Sequence, residues 1–208
     1  MDEHGWLGPI EWAAAGRPRP GEVVSGDRSI AIDSGTNGAL FGVVDGLGHG
    51  SHAATAAACA VEVVDGAPTE PLADLMQLCH RALTETRGAA ITLARINFDT
   101  DMLSWIGVGN VTANLIAKRP GGAEVRSSVR LAGGIIGFRI PDGTAPQEVS
   151  ISHGDLVVIT SDGISDGYLD TLDFAASATV IAEHIVAAHS KESDDALVLA
   201  ARHRGVSS

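Results

Sequence analysis

The sequence predicts an α+β fold in which antiparallel sheets are covered by helices. Apolar and β-rich runs place the elements in the order strands, two helices, a meander of strands, one helix and a last strand. Turn-forming clusters separate the runs of the meander, which is typical of antiparallel hairpins. This order differs from the strict strand–helix alternation of parallel sheets and therefore favours the α+β class.

The first half of the chain predicts an arm, two strands and two helices. Residues 1–22 are rich in Gly, Pro and Trp and are interpreted as an extended arm or a first edge strand. Strands are predicted at 29–34 and 39–46, and the second is almost fully apolar until its final Asp-Gly, as expected of a strand buried on both faces. The Ala-rich stretch 51–64 favours a helix, and apolar residues on one helical face predict another over 71–87.

The second half predicts short strands, one long helix and a final strand. Five β-rich runs lie between residues 89 and 154, separated by turns such as NFDTD, PGG and PDG. The run 155–163 is an apolar strand that ends in Asp-Gly, and a helix over 172–189 and a strand over 196–203 follow. No repeat or linker divides the chain, so a single domain over 1–208 is expected.

Composition narrows the possible partners and compartment. The chain has 14 Lys and Arg against 26 Asp and Glu, a net charge of −12, which disfavours binding to nucleic acid or to an anionic membrane. The N-terminus lacks the apolar run of a signal peptide, and no stretch is long enough to span a membrane. Cys59 and Cys79 lie in apolar stretches and are interpreted as buried thiols of a reducing compartment. We therefore expect a cytoplasmic protein.

Aspartates stand at the ends of three apolar strands. They are Asp45, Asp162 and the pair Asp194–Asp195. One Asp-Gly pair is most often a turn, but strands that meet at one sheet edge would bring all these carboxylates together. Clustered carboxylates repel unless a cation lies between them, and oxygen ligands select Mg²⁺, Mn²⁺ or Ca²⁺. A glycine after the first two aspartates leaves room for a backbone carbonyl to join the coordination.

The glycine loop at 46–50 allows other interpretations. Its G-x-G-x-G pattern is one residue short of a dinucleotide-binding fingerprint, which would also require a parallel strand where the sequence up to Asp65 predicts a helix. His49 and His52 lie in or next to the loop. His49 could protonate a leaving alkoxide as a general acid, or it could cap the helix or face solvent.

Three motifs together resemble a known family. FGVVDGLGHG, ITSDGISDG and SDDALVLAARH are similar, in order and spacing, to the metal-binding motifs of PPM (type 2C) protein serine/threonine phosphatases, and most closely to their bacterial SpoIIE/RsbX-like branch. The similarity extends to GEVVSGDRSIAI, GVGN and GGIIGF. The resemblance implies a four-layer α-β-β-α sandwich of antiparallel sheets flanked by helices. It also implies two divalent cations, Mn²⁺ or Mg²⁺, at one end of the sheets.

The resemblance also implies roles for individual residues of these motifs. Asp45 would bridge both metals, and Gly46 would contribute its carbonyl oxygen. Asp162 and Asp194 would ligate the second metal. Catalysis would act through these three aspartates by means of bound metal and water.

Other positions have more peripheral implied roles. Asp27 would support metal-bound waters, Asp166 would belong to a third, weaker metal site, and Asp195 would replace Asp194 if the register shifts by one. Two features depart from the family pattern. The arginine expected shortly before the first acidic motif is not at its usual place, and the histidine expected directly after the first Asp-Gly is displaced to His49.

By this resemblance, the expected activity is hydrolysis of phosphoserine or phosphothreonine on a small regulatory protein. That partner would be an anti-sigma antagonist or a stressosome-like scaffold in a partner-switching circuit. A catalytically silent adaptor of the same fold, which binds such a phosphoprotein, is the main alternative. The complete aspartate set favours the enzyme over the adaptor.

Overall fold

Two six-stranded sheets organise the part of the chain that the computed structural model describes, residues 2–35, 37–120 and 122–205. The spatial order of the first sheet is β1 (Asp2–Leu7), β2 (Ile10–Arg17), β12 (Ala196–His203), β11 (Leu156–Thr160), β7 (Thr112–Arg119) and β8 (Gly122–Ser128). The order of the second sheet is β10 (Gln147–Ser150), β6 (Met102–Val108), β5 (Ala89–Asn97), β4 (Gly38–Gly46) and β3 (Asp27–Asp33). A short strand, β9 (Leu131–Ala132), runs parallel to β6, and the other pairings are antiparallel.

Helices cover the outer faces of both sheets. Helices α1 (Gly50–Asp65) and α2 (Leu72–Ala82) pack on the second sheet, and α3 (Ala178–His189) packs on the first. A third apolar core lies between the sheets and includes Trp105 and Leu199. Sheets that bury one face on each other and one face under helices form four layers. The predicted α+β class and the α-β-β-α order are therefore confirmed.

Small residues let α1 pass very close to the end of β4. Ala53, Ala56 and Ala57 of this helix are fully buried. A Cβ on Gly46, the last residue of β4, would lie 2.1 Å from the Ala53 carbonyl oxygen. Glycine is therefore required at this contact, which fixes the strand end relative to the helix.

The N-terminal prediction is only partly right. The stretch predicted as an arm or edge strand over 1–22 contains two paired strands, with β1 at the edge of the sheet and β2 inside it, between β1 and β12. The apolar residues Ala13, Ala14 and Ala15 of β2 are buried on both faces, which accounts for its interior position.

Two predicted helices are too long. Helix α2 ends at Ala82 rather than near residue 87, because the hydroxyls of Thr84 and Thr86 bond the carbonyls of Arg81 and Leu83 and compete with the helical backbone pattern. Helix α3 begins at residue 178 rather than near residue 172, and a 3₁₀ helix over Asp166–Thr171 precedes it. The Ser177 hydroxyl caps α3 by accepting from the backbone N–H of Val180.

The two cysteines are free thiols in the apolar layer under α1 and α2. Cys79 is buried, and burial raises the pKa of its thiol to about 12. Cys59 is half-buried rather than buried, so its prediction is only partly right. In the described residues, no helix is both long and apolar enough to cross a membrane.

Candidate active site

Strand ends from both sheets bring the predicted aspartates together. In the second sheet, Asp45 near the end of β4 pairs directly with Asp27 at the start of β3. In the first sheet, β11 ends just before Asp162, and its antiparallel neighbour β12 begins just after Asp194 and Asp195. The end of one antiparallel strand lies beside the start of the next, so these carboxylates share one edge.

These carboxylates lie close enough for their charges to act on one another. The pKa of Asp45 is raised to about 9, first by burial and then by the like charge of the other aspartates, Asp27 foremost among them. The pKa of Asp27 is raised to about 7, again mainly by burial. Burial and the charge of Asp194 also raise the pKa of Asp162. Each of these carboxylates is thus destabilised in its charged form.

A cavity of about 450 Å³ opens beside this group. Its lining includes Asp45, Asp162 and Asp194, together with Asn110. One buried oxygen of Asp27, Oδ2, has no hydrogen-bond partner among the described residues. An orphaned carboxylate oxygen next to repelling carboxylates fits a site for a divalent cation.

The side chains alone do not complete a ligand set. Among the described residues, no group of three or more His, Cys, Asp and Glu side chains is placed to hold a metal ion. Mg²⁺ is commonly held by one or two carboxylates while it keeps several waters. The donors present here fit a cation held by few carboxylates and several waters. Asp45 lies in the second sheet, Asp162 follows a strand of the first, and the Gly46 carbonyl lies at the end of β4.

Two polar residues that the sequence reasoning did not single out hold Asp162. The Asn110 side-chain amide donates to Asp162 Oδ2 at 2.6 Å. The Lys191 ammonium donates to the backbone carbonyl of Asp162 at 2.6 Å, and its charge lowers the pKa of that carboxyl. Asn110 is the last residue of the GVGN motif, so the sequence carried a signal for it. Lys191 belongs to no motif.

The paired aspartates before β12 have different surroundings. Both carboxylate oxygens of Asp195 accept backbone N–H groups, Oδ1 from Arg19 and Oδ2 from Gly26, each at 2.8 Å. Asp194 lines the cavity instead, and its Oδ1 accepts the N–H of Asp195 at 2.9 Å. Asp195 therefore ties the β12 loop to the segment before β3.

The histidines of the glycine loop lie at the start of α1. His49 is the residue before the first turn, and its Nδ1 lies 2.6 Å from Glu22 Oε1. His52 is exposed on the helix. The loop follows β4, whose neighbours β3 and β5 are both antiparallel to it, so no parallel βαβ unit is present there. This contradicts the dinucleotide-binding interpretation.

Asp166 does not line the cavity beside Asp45, Asp162 and Asp194. It begins the 3₁₀ helix and lines a separate cavity of about 290 Å³ together with Tyr168 and Asn114. The Tyr168 hydroxyl accepts from the Asn114 amide at 2.8 Å. The charges that raise the pKa values of Asp27 and Asp45 come from other residues.

Arg17 and Arg28, near the first acidic motif, do not line the cavity. Arg17 bonds the Ser190 hydroxyl and the Lys191 carbonyl, and Arg28 bonds the carbonyls of Ser25 and Asp27. Arg87 is different, because its Nη1 lies 3.0 Å from the position that a Cβ on Gly48 would take. Gly48 lines the cavity, so Arg87 places a positive charge at its rim.

Comparison with known proteins agrees with this architecture. The protein "Phosphoserine phosphatase RsbX" of Bacillus subtilis (strain 168) is 29% identical over 93 residues, which cover 45% of this chain and 46% of that relative. The match thus spans about half the length of that relative.

Two solved structures share the fold. One, described as "The bacterial stressosome: a modular system that has been adapted to control secondary messenger signaling", has 29% identity and a TM-score of 0.83 and covers 93% of this chain and 99% of its own. The crystal structure of RsbX in complex with magnesium has 20% identity and a TM-score of 0.78, covering 97% and 98%. The family model "Stage II sporulation protein E (SpoIIE)" matches residues 35–204, which is most of the chain. The chain therefore belongs to the SpoIIE family.

Proposed function

We propose that the protein is a metal-dependent phosphoprotein phosphatase that hydrolyses phosphoserine or phosphothreonine by direct attack of water. One observation carries this proposal. Carboxylates from four separate chain segments meet beside an open cavity at the edge of two sheets, and they repel one another. Burying several negative charges together destabilises the fold, and a purely structural role does not require it. Binding divalent cations for phosphoryl chemistry does require clustered carboxylates.

The proposed ligands follow from the positions of the donors. Asp45 and the Gly46 carbonyl would hold divalent cations from the second sheet, and Asp162 and Asp194 would hold them from the first, with coordinated water completing each ligand set. Mn²⁺ or Mg²⁺ suits these oxygen donors. When bound, such cations supply charge neutralisation for the phosphate and lower the pKa of a coordinated water.

The surrounding residues orient this group. Asn110 fixes the Asp162 carboxylate through its amide. Asp27 is the cross-strand partner of Asp45, and its buried Oδ2, which has no partner among the described residues, would accept from a metal-bound water. Asp195 is assigned a positioning role because both of its oxygens already accept backbone N–H groups, which favours Asp194 as the ligand. A third metal at Asp166 receives no support from its separate cavity.

Substrate binding and proton transfer are assigned to the cavity rim. Arg87 and Lys191 contribute positive charge near Gly48 and Asp162, where a phosphate dianion would approach. His49 is the candidate general acid for the leaving serine or threonine oxygen, with Glu22 holding its ring through Nδ1.

The proposed substrate is a phosphorylated regulatory protein. Two similar proteins support this class, since one is described as a phosphoserine phosphatase and the other as a stressosome structure. A small anti-sigma antagonist or a stressosome-like scaffold would present its phosphoserine on an exposed segment that the open cavity admits. The free thiols of Cys59 and Cys79 favour a cytoplasmic setting for this activity.

Hydrolysis of p-nitrophenyl phosphate with and without Mn²⁺ tests the proposal. We expect turnover only with the cation, and a loss of about 100-fold or more in the Asp45→Asn variant. Asp65→Asn is the matched control, because it makes the same chemical change at an exposed residue at the end of α1. Absence of cation-dependent turnover on this substrate and on phosphopeptides would favour the silent adaptor instead.

A further inference from the structure

A second cavity lies at the opposite end of the first sheet from the carboxylates. Its volume is about 610 Å³, and it is lined by the end of β7, the segment before β11 and the end of β12. Strand β12 runs from Ala196, beside the aspartates, to His203, at this cavity. An eight-residue strand is about 25 Å long, so the two cavities are separate sites.

The lining of this second cavity is strongly cationic. It includes five Lys and Arg residues and only one carboxylate, Asp155, although acidic residues outnumber basic ones in the whole chain by 26 to 14. The five residues are Lys118, Arg119, Arg126, Arg202 and Arg204. More than a third of the positive side chains of an acidic protein thus face one cavity, which favours an anionic ligand.

Three of these cations already have carboxylate partners. Arg126 pairs with Asp155, Arg119 with Glu124, and Arg204 with Glu11. These pairs hold the walls of the cavity in place, because they link β8 to the segment before β11 and the end of β12 to β2. Lys118, which is exposed, and Arg202 belong to no such pair, although the charges of Glu11 and Asp173 also act on Arg202.

Arg202 is the buried polar group that points to a ligand. Its residue is only 4% exposed, its Nη1 donates to the Phe174 carbonyl, and its guanidinium lies 4.7 Å from the centre of the Phe174 ring. Its Nε and Nη2 atoms are buried without a hydrogen-bond partner among the described residues. Leaving charged donors unpaired in the interior is costly, and an acceptor in the cavity would remove that cost.

We propose that this cavity binds a small phosphate-bearing anion, either inorganic phosphate or the phosphate ester of an organic molecule. A phosphate group offers acceptor oxygens in several directions, which suits donors on separate strands better than a planar carboxylate does. The ring of Phe174 and the perpendicular pair of His153 and His203 provide an apolar and aromatic side for an organic portion. The volume is that of a typical small-molecule site.

Isothermal titration calorimetry with inorganic phosphate and with adenosine monophosphate tests this site. The protein is kept in EDTA so that no divalent cation can hold the anion at the carboxylate end. We expect binding in the range of about 10 μM to 1 mM at low salt, weakening as salt is added. Tighter binding of the nucleotide identifies an esterified ligand, and equal binding identifies free phosphate; both support the site.

Variants locate the binding. Lys118→Gln and Arg202→Lys should each weaken it by about 10-fold, and Lys118→Gln should leave phosphatase activity unchanged. Arg81→Gln on α2 removes one positive charge from another face and should have no effect. If Arg202→Lys fails to fold, as judged by circular dichroism, Lys118→Gln decides alone. No measurable heat up to about 10 mM, or binding that Lys118→Gln leaves intact and Asp45→Asn abolishes, would overturn the proposal.

Discussion

At the scale of single residues, Asp45 is held at an electrostatic cost. Its pKa is raised to about 9, first by burial and then by neighbouring carboxylates, whereas an unfolded chain would have an ordinary aspartate near 3.8. Between these two values the unfolded state binds fewer protons than the folded state. Rising pH therefore favours unfolding over this interval, because stability falls wherever the folded state holds the extra proton.

This gives a prediction for the EDTA-treated protein. Its melting temperature should fall from about pH 5 to pH 9, and Asp45→Asn should raise it by roughly 2–8 °C at about pH 8 while flattening the pH dependence. Thermal melts followed by circular dichroism across this range measure both effects. Asp65→Asn is the control and should leave the wild-type slope unchanged. Parallel slopes for wild type and Asp45→Asn would contradict the assigned repulsion.

His49 gives a second prediction at this scale, because its proposed role depends on the leaving group. An alkoxide leaving from phosphoserine needs a proton, whereas p-nitrophenolate leaves readily as an anion. His49→Gln should therefore lower hydrolysis of a phosphoserine peptide by about 100-fold and leave p-nitrophenyl phosphate hydrolysis almost unchanged. His52→Gln, an exposed neighbour on α1, is the control. An equal loss on both substrates would remove His49 from the proton-transfer step.

The aspartates could be anticipated from sequence because each stands where an apolar strand ends, and strand ends meet at sheet edges. The residues that contact the site side chains could not be anticipated in this way. Asn110 meets Asp162 only because β7 and β11 are antiparallel neighbours, and Glu22 meets His49 across 27 positions of sequence. The GVGN motif marks Asn110, but a single sequence does not show which residue it meets, since the pairing depends on the sheet order.

At the scale of elements, the contact between β4 and α1 positions the candidate ligands. A Cβ at Gly46 would overlap the backbone of Ala53, and backbone atoms cannot move aside as a flexible side chain can. We expect Gly46→Ala to destabilise the protein by about 1–3 kcal/mol. It should also reduce phosphatase activity by at least about 10-fold, because the strand end would shift.

Chemical denaturation and p-nitrophenyl phosphate hydrolysis measure these two effects. Gly167→Ala is the matched control, because its added Cβ would lie 3.9 Å from its nearest neighbour, an ordinary contact, and it does not line the cavity beside Asp45. Wild-type stability in Gly46→Ala would show that α1 moves away from β4 without cost, contrary to the tight packing of Ala53 and Ala56.

The positions where helices and strands begin depend on local contacts as well as on the apolar pattern. The final strand is found where the sequence predicts it, over Ala196–His203, because all of its residues are buried and its backbone pairs with strands on both sides. The helix predicted from residue 172 begins at Ala178, since Ser177 supplies the cap that the apolar pattern alone does not reveal. Local side-chain bonds therefore decide the boundaries that periodicity leaves open.

At the scale of the whole molecule, charge is unevenly distributed between the two ends of the first sheet. The aspartates at the start of β12 belong to a sequence motif, whereas the arginines at its end contribute to the sequence only as part of a net charge of −12. The acidic end was predictable from motifs. The basic end was not, because Lys118, Arg126 and Arg202 come from three different strands and meet only in the folded sheet.

The core between the sheets predicts that the whole sandwich unfolds as one unit. Trp105 of the second sheet and Leu199 of the first are both fully buried in this core, so neither sheet can lose its structure without exposing the inner face of the other. Such shared burial makes unfolding cooperative. In urea, tryptophan fluorescence and far-ultraviolet circular dichroism should therefore give coincident transitions. Leu199→Ala should move both midpoints together, by about 2–5 kcal/mol in stability, whereas separate transitions would show two independent folding units and contradict a single domain.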